Sequence, residues 1–367
     1  MRKLPLECLR PGMVVARSIF DAEGRVLLNK GVILKPYYIQ RLRELGIPGV
    51  YVADDMGPEW EVEDVVSEAT RLKALKLVKE IMEGVKGEKR GNQAALIEPE
   101  RVREVVESIV QELLSRKGIM VNLADIRALD DYTFAHSVNV CILAVITGIT
   151  LKYPRASLIQ LGMGALLHDI GKILIPAEVL NKPGPLTPEE YNIVCRHAEL
   201  GFEILSKQEG LGKIAPLVAW EHHERYNGSG YPRGLKGEDI HEFAAITAIV
   251  DEYDALTADR VYRKAYPAHE AYEMLAAAGN FRHDYRLVKA FLSNVAAYSV
   301  GTMVELNTGE VGIVLRTSPG QSHKPQVCLL YGREGKPLKA KIEIDLAQEL
   351  DRWVVRVLPP QEKVEKR

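Results

Sequence analysis

Five of the chain's nine histidines lie between residues 136 and 223, and they keep company with carboxylates. They are His136, His168, His197, His222 and His223. His168 is followed by Asp169 in LLHDIGK, His222 and His223 stand side by side in HHERYNGSGYP, and Asp251 opens DEYDALTADRVYRK. Imidazole and carboxylate donors in this proportion suit a borderline or hard divalent transition metal, whereas a structural zinc site usually recruits cysteine. The four cysteines, Cys8, Cys141, Cys195 and Cys328, are scattered without CxxC spacing and fit reduced thiols. A lone histidine on an apolar helix face is usually a hydrogen-bonded core residue, and that reading suits His241, His269, His283 and His323. It suits His168-Asp169 poorly. The pair follows the apolar run Gly162 to Leu167, where an unpaired buried charge costs several kcal/mol and a metal supplies the missing partner. Adjacent helical side chains point about 100° apart, so His222 and His223 share one polar cavity only if it is wide. Two metals about 3.5 to 4 Å apart would make it so.

The elements that must bring these residues together are helices. From about Asp130 to Tyr298 long apolar-periodic segments are separated by Gly/Pro loops, with almost no strand alternation. In the loop NKPGPLTPEE, Thr187, Pro188 and Glu190 form a capping-box sequence, so a helix is predicted to start there. Ahead of this core, residues 1 to 55 alternate β-prone runs (Met13 to Ala16, Arg25 to Leu28, Val32 to Leu34, Val50 to Val52) with glycine turns and hold one short helix after Pro36. Charged apolar-periodic stretches from Trp60 to Gly118, interrupted by GVKGEKRGNQ, read as two connecting helices, the second with Pro99 in its first turn. β signals return after residue 299: VGTMVEL, the turn NTGE, VGIVL, VCLLYG and KIEIDL. The predicted architecture is mainly α. A small β-rich module spans 1–58, connecting helices 59–128, an all-helical core 129–298, and a second small β-rich module 299–367.

Composition narrows the function classes. Hydrophobic residues make up 47% and charged residues 27% of the 367, an ordinary globular composition that excludes wholesale disorder. With 48 Lys+Arg against 50 Asp+Glu the formal charge is −2, so no strongly basic field exists to hold a nucleic-acid polymer, and phosphate recognition must be local. No membrane span is expected, because no stretch of 18 uninterrupted apolar residues occurs. The N-terminus lacks the apolar core of a secretory signal, so a cytoplasmic location is expected.

His136, LLHDIGK, the lone His197, HHER followed by GSGYP, and DEYDALTADRVYRKAY together resemble the HD-GYP family, a branch of the HD-domain metal-dependent phosphohydrolases. The resemblance covers about Asp130 to Phe291, and the flanking β segments are more loosely similar to accessory regions beside such domains. It implies an HD-type helical core and hydrolysis of cyclic di-GMP to linear pGpG, in some members onward to GMP. It also implies metal ligands at His136, His168, Asp169, His197, His222, His223 and Asp251, with Asp169 bridging. Five imidazoles give five bonds, a bridging Asp169 two and Asp251 one, which would saturate two tetrahedral zincs and leave no place for water. Two octahedral ions leave positions open, so iron or manganese is favoured over zinc. Some relatives bind a third metal through a glutamate four residues before the first histidine. Tyr132 stands there in this chain, so two ions are expected.

A phosphodiester repels anionic nucleophiles and has a poor leaving group, so the expected mechanism is attack by a metal-bridging hydroxide in line with the departing 3′ oxygen. By resemblance Lys172, Arg260 and Arg263 are the phosphate-binding candidates, with Lys264 as an alternative, and Lys172 and Asp169 are the residues expected to carry catalysis. Gly228 to Pro232 is expected to be a loop beside the site. Asn227 stands where the family usually has aspartate, and an amide cannot act as a base. Asp254 fits either a partner of a ligand or an ordinary surface acid. Three functions remain open: a cyclic di-GMP phosphodiesterase, a cyclic di-GMP-binding module with little or no turnover, and an HD phosphohydrolase for another nucleotide. The charged helices between 60 and 117 fit an intersubunit bundle, hence a homodimer, or a solvated linker equally well.

Overall fold

A computed structural model of the chain describes residues 2–20, 26–45, 47, 49–53, 65–88, 97–116, 118–121, 132–258 and 265–358. It forms two compact units, one of residues 1–64, 120–132 and 295–367, the other of residues 65–119 and 133–294.

The first unit is rich in strands. Its N-terminal part holds β1 (Arg2–Pro5), β2 (Ile19–Phe20), β3 (Val26–Leu28), α1 (Pro36–Glu44) and β4 (Gly49–Val52). β1 pairs antiparallel with β4, and β2 with β3. Leu4, Val15, Leu34, Leu42 and Val50 close this small core, and Pro36 opens α1 as the sequence predicts. β1 is not anticipated by any alternation in Arg2–Pro5; its partner strand makes it. The C-terminal part is a five-stranded antiparallel sheet of β5 (Met303–Leu306), β6 (Val311–Arg316), β7 (Gln326–Tyr331), β8 (Pro337–Asp345) and β9 (Val354–Leu358), in the order β8-β7-β6-β5-β9. The NTGE turn joins β5 to β6, with Gly309 at φ +89° where a side chain would be strained.

The second unit is helical: α2 (Glu68–Glu88), α3 (Pro99–Ser115), α4 (Tyr132–Thr150), α5 (Arg155–Leu167), a 3-10 turn (Ile170–Leu174), α6 (Ala177–Leu180), α7 (Pro188–Cys195), α8 (His197–Ser206), α9 (Ile214–Glu221), α10 (Glu242–Thr257), α11 (Ala268–Ala277) and α12 (Tyr285–Leu292). α2 runs through Gly84 and Gly87 to Glu88, further than the polar stretch suggests. α3 buries Val102, Val105, Val106, Ile109, Val110 and Leu113, a single face at helical spacing. α5 is buried almost continuously from Leu158 to Leu167. Its glycines let neighbours close in: a Cβ on Gly162 would stand 2.6 Å from Val106 Cγ1, and one on Gly164 2.8 Å from Val218 Cγ2. With each fully buried Leu or Ile worth about 1.5–3 kcal/mol, α5 is fixed between α3 and α9, and so is whatever stands at its C-terminus. The Thr187–Glu190 capping box starts α7 as predicted. No described helix is long and apolar enough to cross a membrane.

Candidate metal centre

Helix ends deliver most of the site. His168 is the C-cap of α5 and Asp169 follows it; His197 is the first residue of α8; His222 is the C-cap of α9 and His223 follows. The last carbonyls of a helix are short of backbone partners within it, and three imidazoles bond to such carbonyls. His168 Nδ1 lies 2.8 Å from Ala165 O, His197 Nδ1 2.7 Å from Val194 O, and His222 Nδ1 2.9 Å from Ala219 O. A carbonyl only accepts, so each Nδ1 carries the hydrogen and each Nε2 is left as a lone-pair donor toward the pocket. His136 and Asp251 come instead from within α4 and α10.

All seven residues converge, in two groups about one carboxylate. Asp169, His197, His222 and His223 can place one ligand atom each within 4.8 Å of one another, and so can His136, His168 and Asp251. Asp169 faces both: Oδ1 is 3.5 Å from His197 Nε2 and 3.6 Å from His222 Nε2, while Oδ2 is 3.3 Å from His168 Nε2 and 3.6 Å from His136 Nε2. His222 and His223 fall in the same group, their ring centroids 4.1 Å apart. The sequence suggested a pair spread across a wide cavity. α9 ends at Glu221, so the 100° helical spacing does not constrain them.

Lone pairs and charge both fit a cation. His168 Nε2 and Asp169 Oδ1 are buried with no hydrogen-bond partner, a costly arrangement unless something positive binds there. Burial, followed by the Lys172 charge, depresses His197 to about 3. Burial likewise lowers His222, and lowers His223 strongly with the help of the imidazoles of His222 and His197. These rings are neutral at pH 7 and available as ligands. His136 behaves oppositely: burial alone would lower it, but hydrogen bonds to Asp251 and Asp254 carry it well above the usual histidine range. Burial would raise Asp169, yet the Lys172 ammonium and His168 outweigh it and hold the carboxyl far below its ordinary range. Asp251, also pushed up by burial, is held low by His136. The chain thus presents two carboxylates, neutral imidazoles and a displaceable proton in one pocket: a site for divalent metal.

Lys172 Nζ lies 2.5 Å from Asp169 Oδ2. Arg260, Arg263 and Lys264 lie outside the described residues. Asp254 is no surface acid: it is 1% exposed, with Oδ2 2.8 Å from His136 Nδ1. His241 caps α10 by accepting from Phe243 N–H, and His283 pairs with Glu252 at 2.9 Å, both structural roles.

The loop after His223 is held by residues to which the sequence reading gave no role. Buried Glu224 accepts the backbone N–H groups of Arg233 and Leu235, and buried Glu221 accepts that of His241 and the Arg233 guanidinium. A Cβ on Gly230 would stand 2.4 Å from Arg225 N and 2.5 Å from His223 O, so only glycine permits this approach. Tyr231 consequently stacks on His223, centroids 4.8 Å apart. The signal available in sequence was an acid on each side of the histidine pair, in WEHHE. Asn227 Oδ1 accepts from Ser229 N–H at 3.0 Å, an Asx turn that needs an acceptor oxygen and no charge.

Residues 126–287 match the HD domain family, and residues 303–366 match the KOW domain associated with HD domain. A cyclic di-GMP phosphodiesterase of Pseudomonas aeruginosa is 30% identical over 384 residues, covering 96% of this chain and 91% of its own. The cyclic di-GMP phosphodiesterase response regulator RpfG of Xanthomonas campestris pv. campestris is 47% identical over 131 residues, 35% of each chain. An HDG"Y"P protein of Bdellovibrio bacteriovorus has the same fold, with a TM-score of 0.51 at 17% identity over 79% of this chain and 97% of its own. On the full-length match, the matched domain and the assembled histidines and aspartates, the chain belongs to the HD domain family, in its HD-GYP branch.

Proposed function

We propose that the chain is a cyclic di-GMP phosphodiesterase that opens a 3′-5′ phosphodiester to linear pGpG and works with two divalent ions, iron or manganese in preference to zinc. The observation that carries this reading is the pair of donor groups sharing Asp169. His197, His222, His223 and one Asp169 oxygen would hold one ion, and His136, His168, Asp251 and the other Asp169 oxygen the second. When bound, such ions neutralise phosphate charge and lower the pKa of water toward neutrality. Within this assignment the chain's own residues divide the rest. Carbonyl-anchored imidazoles keep Nε2 aimed inward and need no reorganisation when a ligand arrives. Lys172, 27% exposed, is the cation nearest the bridging carboxylate among the described residues; with that carboxylate engaged by metal, its ammonium would turn to a non-bridging phosphate oxygen. Arg260 and Arg263 are assigned the same task on the basis of the family pattern. Asp251, at 14% exposed, and the partly exposed His223 mark the side from which substrate enters.

The test is anaerobic purification with metal analysis, followed by cyclic di-GMP cleavage with Fe(II) or Mn(II). Two ions per chain and pGpG as product are expected. Nucleotide binding without cleavage by the metal-loaded protein would overturn the enzymatic reading, and cleavage of a different cyclic dinucleotide in its place would overturn the substrate.

A further inference from the structure

His136 is oriented differently from the other site histidines. His168, His197 and His222 are fixed by carbonyls within four residues of themselves. His136 stands inside α4, where the backbone ladder occupies the carbonyls, and its Nδ1 reaches Asp254 Oδ2 on α10 at 2.8 Å. Asp254 Oδ1 accepts from Asn139 Nδ2 at 3.3 Å, and Asn139 Oδ1 accepts from Arg71 Nη1 at 3.0 Å. His136, Asn139 and Asp254 are all buried. A guanidinium only donates and a carboxylate only accepts, so together they leave the Asn139 amide a single orientation. Asp254 then presents its other oxygen, Oδ2, to the His136 Nδ1–H, and Nε2 is the nitrogen left facing Asp251 and Asp169.

We propose that Arg71 is a positioning residue of the His136 subsite, acting through Asn139 and Asp254 to hold the imidazole with Nε2 toward the metal. The proposal rests on the two-ion reading above. Arg71 is itself held in place. It is the fourth residue of α2, and the start of that helix is tied to α3 by Glu112, which accepts from Ser67 Oγ at 2.8 Å and from Thr70 Oγ1 at 2.5 Å. α2 also packs against the 3-10 turn that follows Asp169. The helix that follows the N-terminal strands in sequence thus bears on His136 through a chain of hydrogen bonds, while His197 and His222 take theirs from nearby carbonyls.

The experiment is Mn(II) titration of the metal-stripped full chain, with free Mn(II) followed by EPR, for wild type, Arg71→Ala and Arg71→Lys. Removing a residue that orients a ligand typically weakens metal affinity about 10–100-fold. Arg71→Ala is therefore expected to bind one Mn(II) as wild type does and the second about 10–100-fold more weakly. Arg71→Lys should fall between. Saturating Mn(II) should restore kcat with KM unchanged. Asp251→Ala marks the subsite: added to it, Arg71→Ala should cost no further affinity, whereas with His197→Ala the two losses should add. Wild-type binding of both ions by Arg71→Ala, or equal weakening of both, would overturn the proposal. Should Arg71→Ala fail to fold, Arg71→Lys and Arg71→Gln give the same readout. Wild type that binds two ions without cleaving cyclic di-GMP refutes the substrate assignment and leaves this test intact; wild type that binds one ion refutes the two-ion reading and the proposal with it.

Discussion

Replacing Asp169 with alanine removes both oxygens that join the two donor groups, so under the proposed two-ion reading neither ion would keep its shared ligand. Metal-assisted charge stabilisation is worth several kcal/mol, and each 1.36 kcal/mol is about tenfold in rate. Asp169→Ala should therefore lose metal content and about a thousandfold or more in kcat/KM. Full metal content and full turnover in the variant would refute the bridge. Asn227→Asp is the contrasting case. The Asx turn uses one acceptor oxygen that both side chains possess, so stability should stay within about 0.5 kcal/mol and turnover within about twofold. A large gain in turnover would mean that a carboxylate at 227 does more than hold the loop. The pocket's titration is the third residue-scale consequence. In the metal-free protein His197 sits at about 3 against about 6.5 when unfolded. The unfolded chain therefore binds the extra proton between those values. Stability present above about 6.5 is lost as pH falls toward 3, and His222 and His223 act in the same direction. His136 opposes them: its raised value stabilises below about 6.5 and is lost as pH rises through the folded value. Urea midpoints of the metal-stripped protein should fall on acidification below 6.5, less steeply in His197→Ala. An unchanged slope in that variant would remove His197 from the account.

At the level of elements, the centre depends on how closely the turn after Asp169 approaches α8. A Cβ on Gly171 would stand 2.0 Å from His197 O and 2.6 Å from Gly201 N, both backbone atoms that cannot swing aside. Gly171→Ala should push the turn off α8 and separate Asp169 from His197, costing about 1–3 kcal/mol as overpacking does and lowering metal affinity in the same variant. Wild-type metal binding with normal stability would show that the turn has room to move. This also explains what was legible in sequence. His168-Asp169 and His222-His223 stood out because each pair is local and the helix that delivers it ends there, so identity and spacing carried the chemistry. The helices were legible for a similar reason, since α3 and α5 write their buried faces at periodic or continuous apolar positions. Arg71, Asn139 and Asp254 were not legible as a set, because they come from α2, α4 and α10, and only packing makes neighbours of residues so far apart in sequence. Glu221 and Glu224 look like ordinary charges beside histidines until the loop folds back and gives them backbone N–H groups to accept. β1 was missed because an edge strand is defined by its partner.

On the scale of the whole molecule, every described residue of the donor set belongs to the helical unit, and none belongs to the unit containing the strands. A ligand that binds only the folded form stabilises what it binds by RT ln(1 + [L]/Kd), about 2.7 kcal/mol at one hundred times Kd. For a unit of 150–250 residues each kcal/mol moves the midpoint by about 2–4 °C, so the shift should be about 5–10 °C. Units that melt independently give separate transitions. Calorimetry of the metal-stripped chain is therefore expected to resolve two transitions, of which Mn(II) raises one and leaves the other in place. Asp169→Ala should abolish the shift while keeping both transitions. A single transition that moves as a whole would mean that the two units unfold as one cooperative body, and metal binding would then be felt by the strands as well as by the helices that hold the ligands.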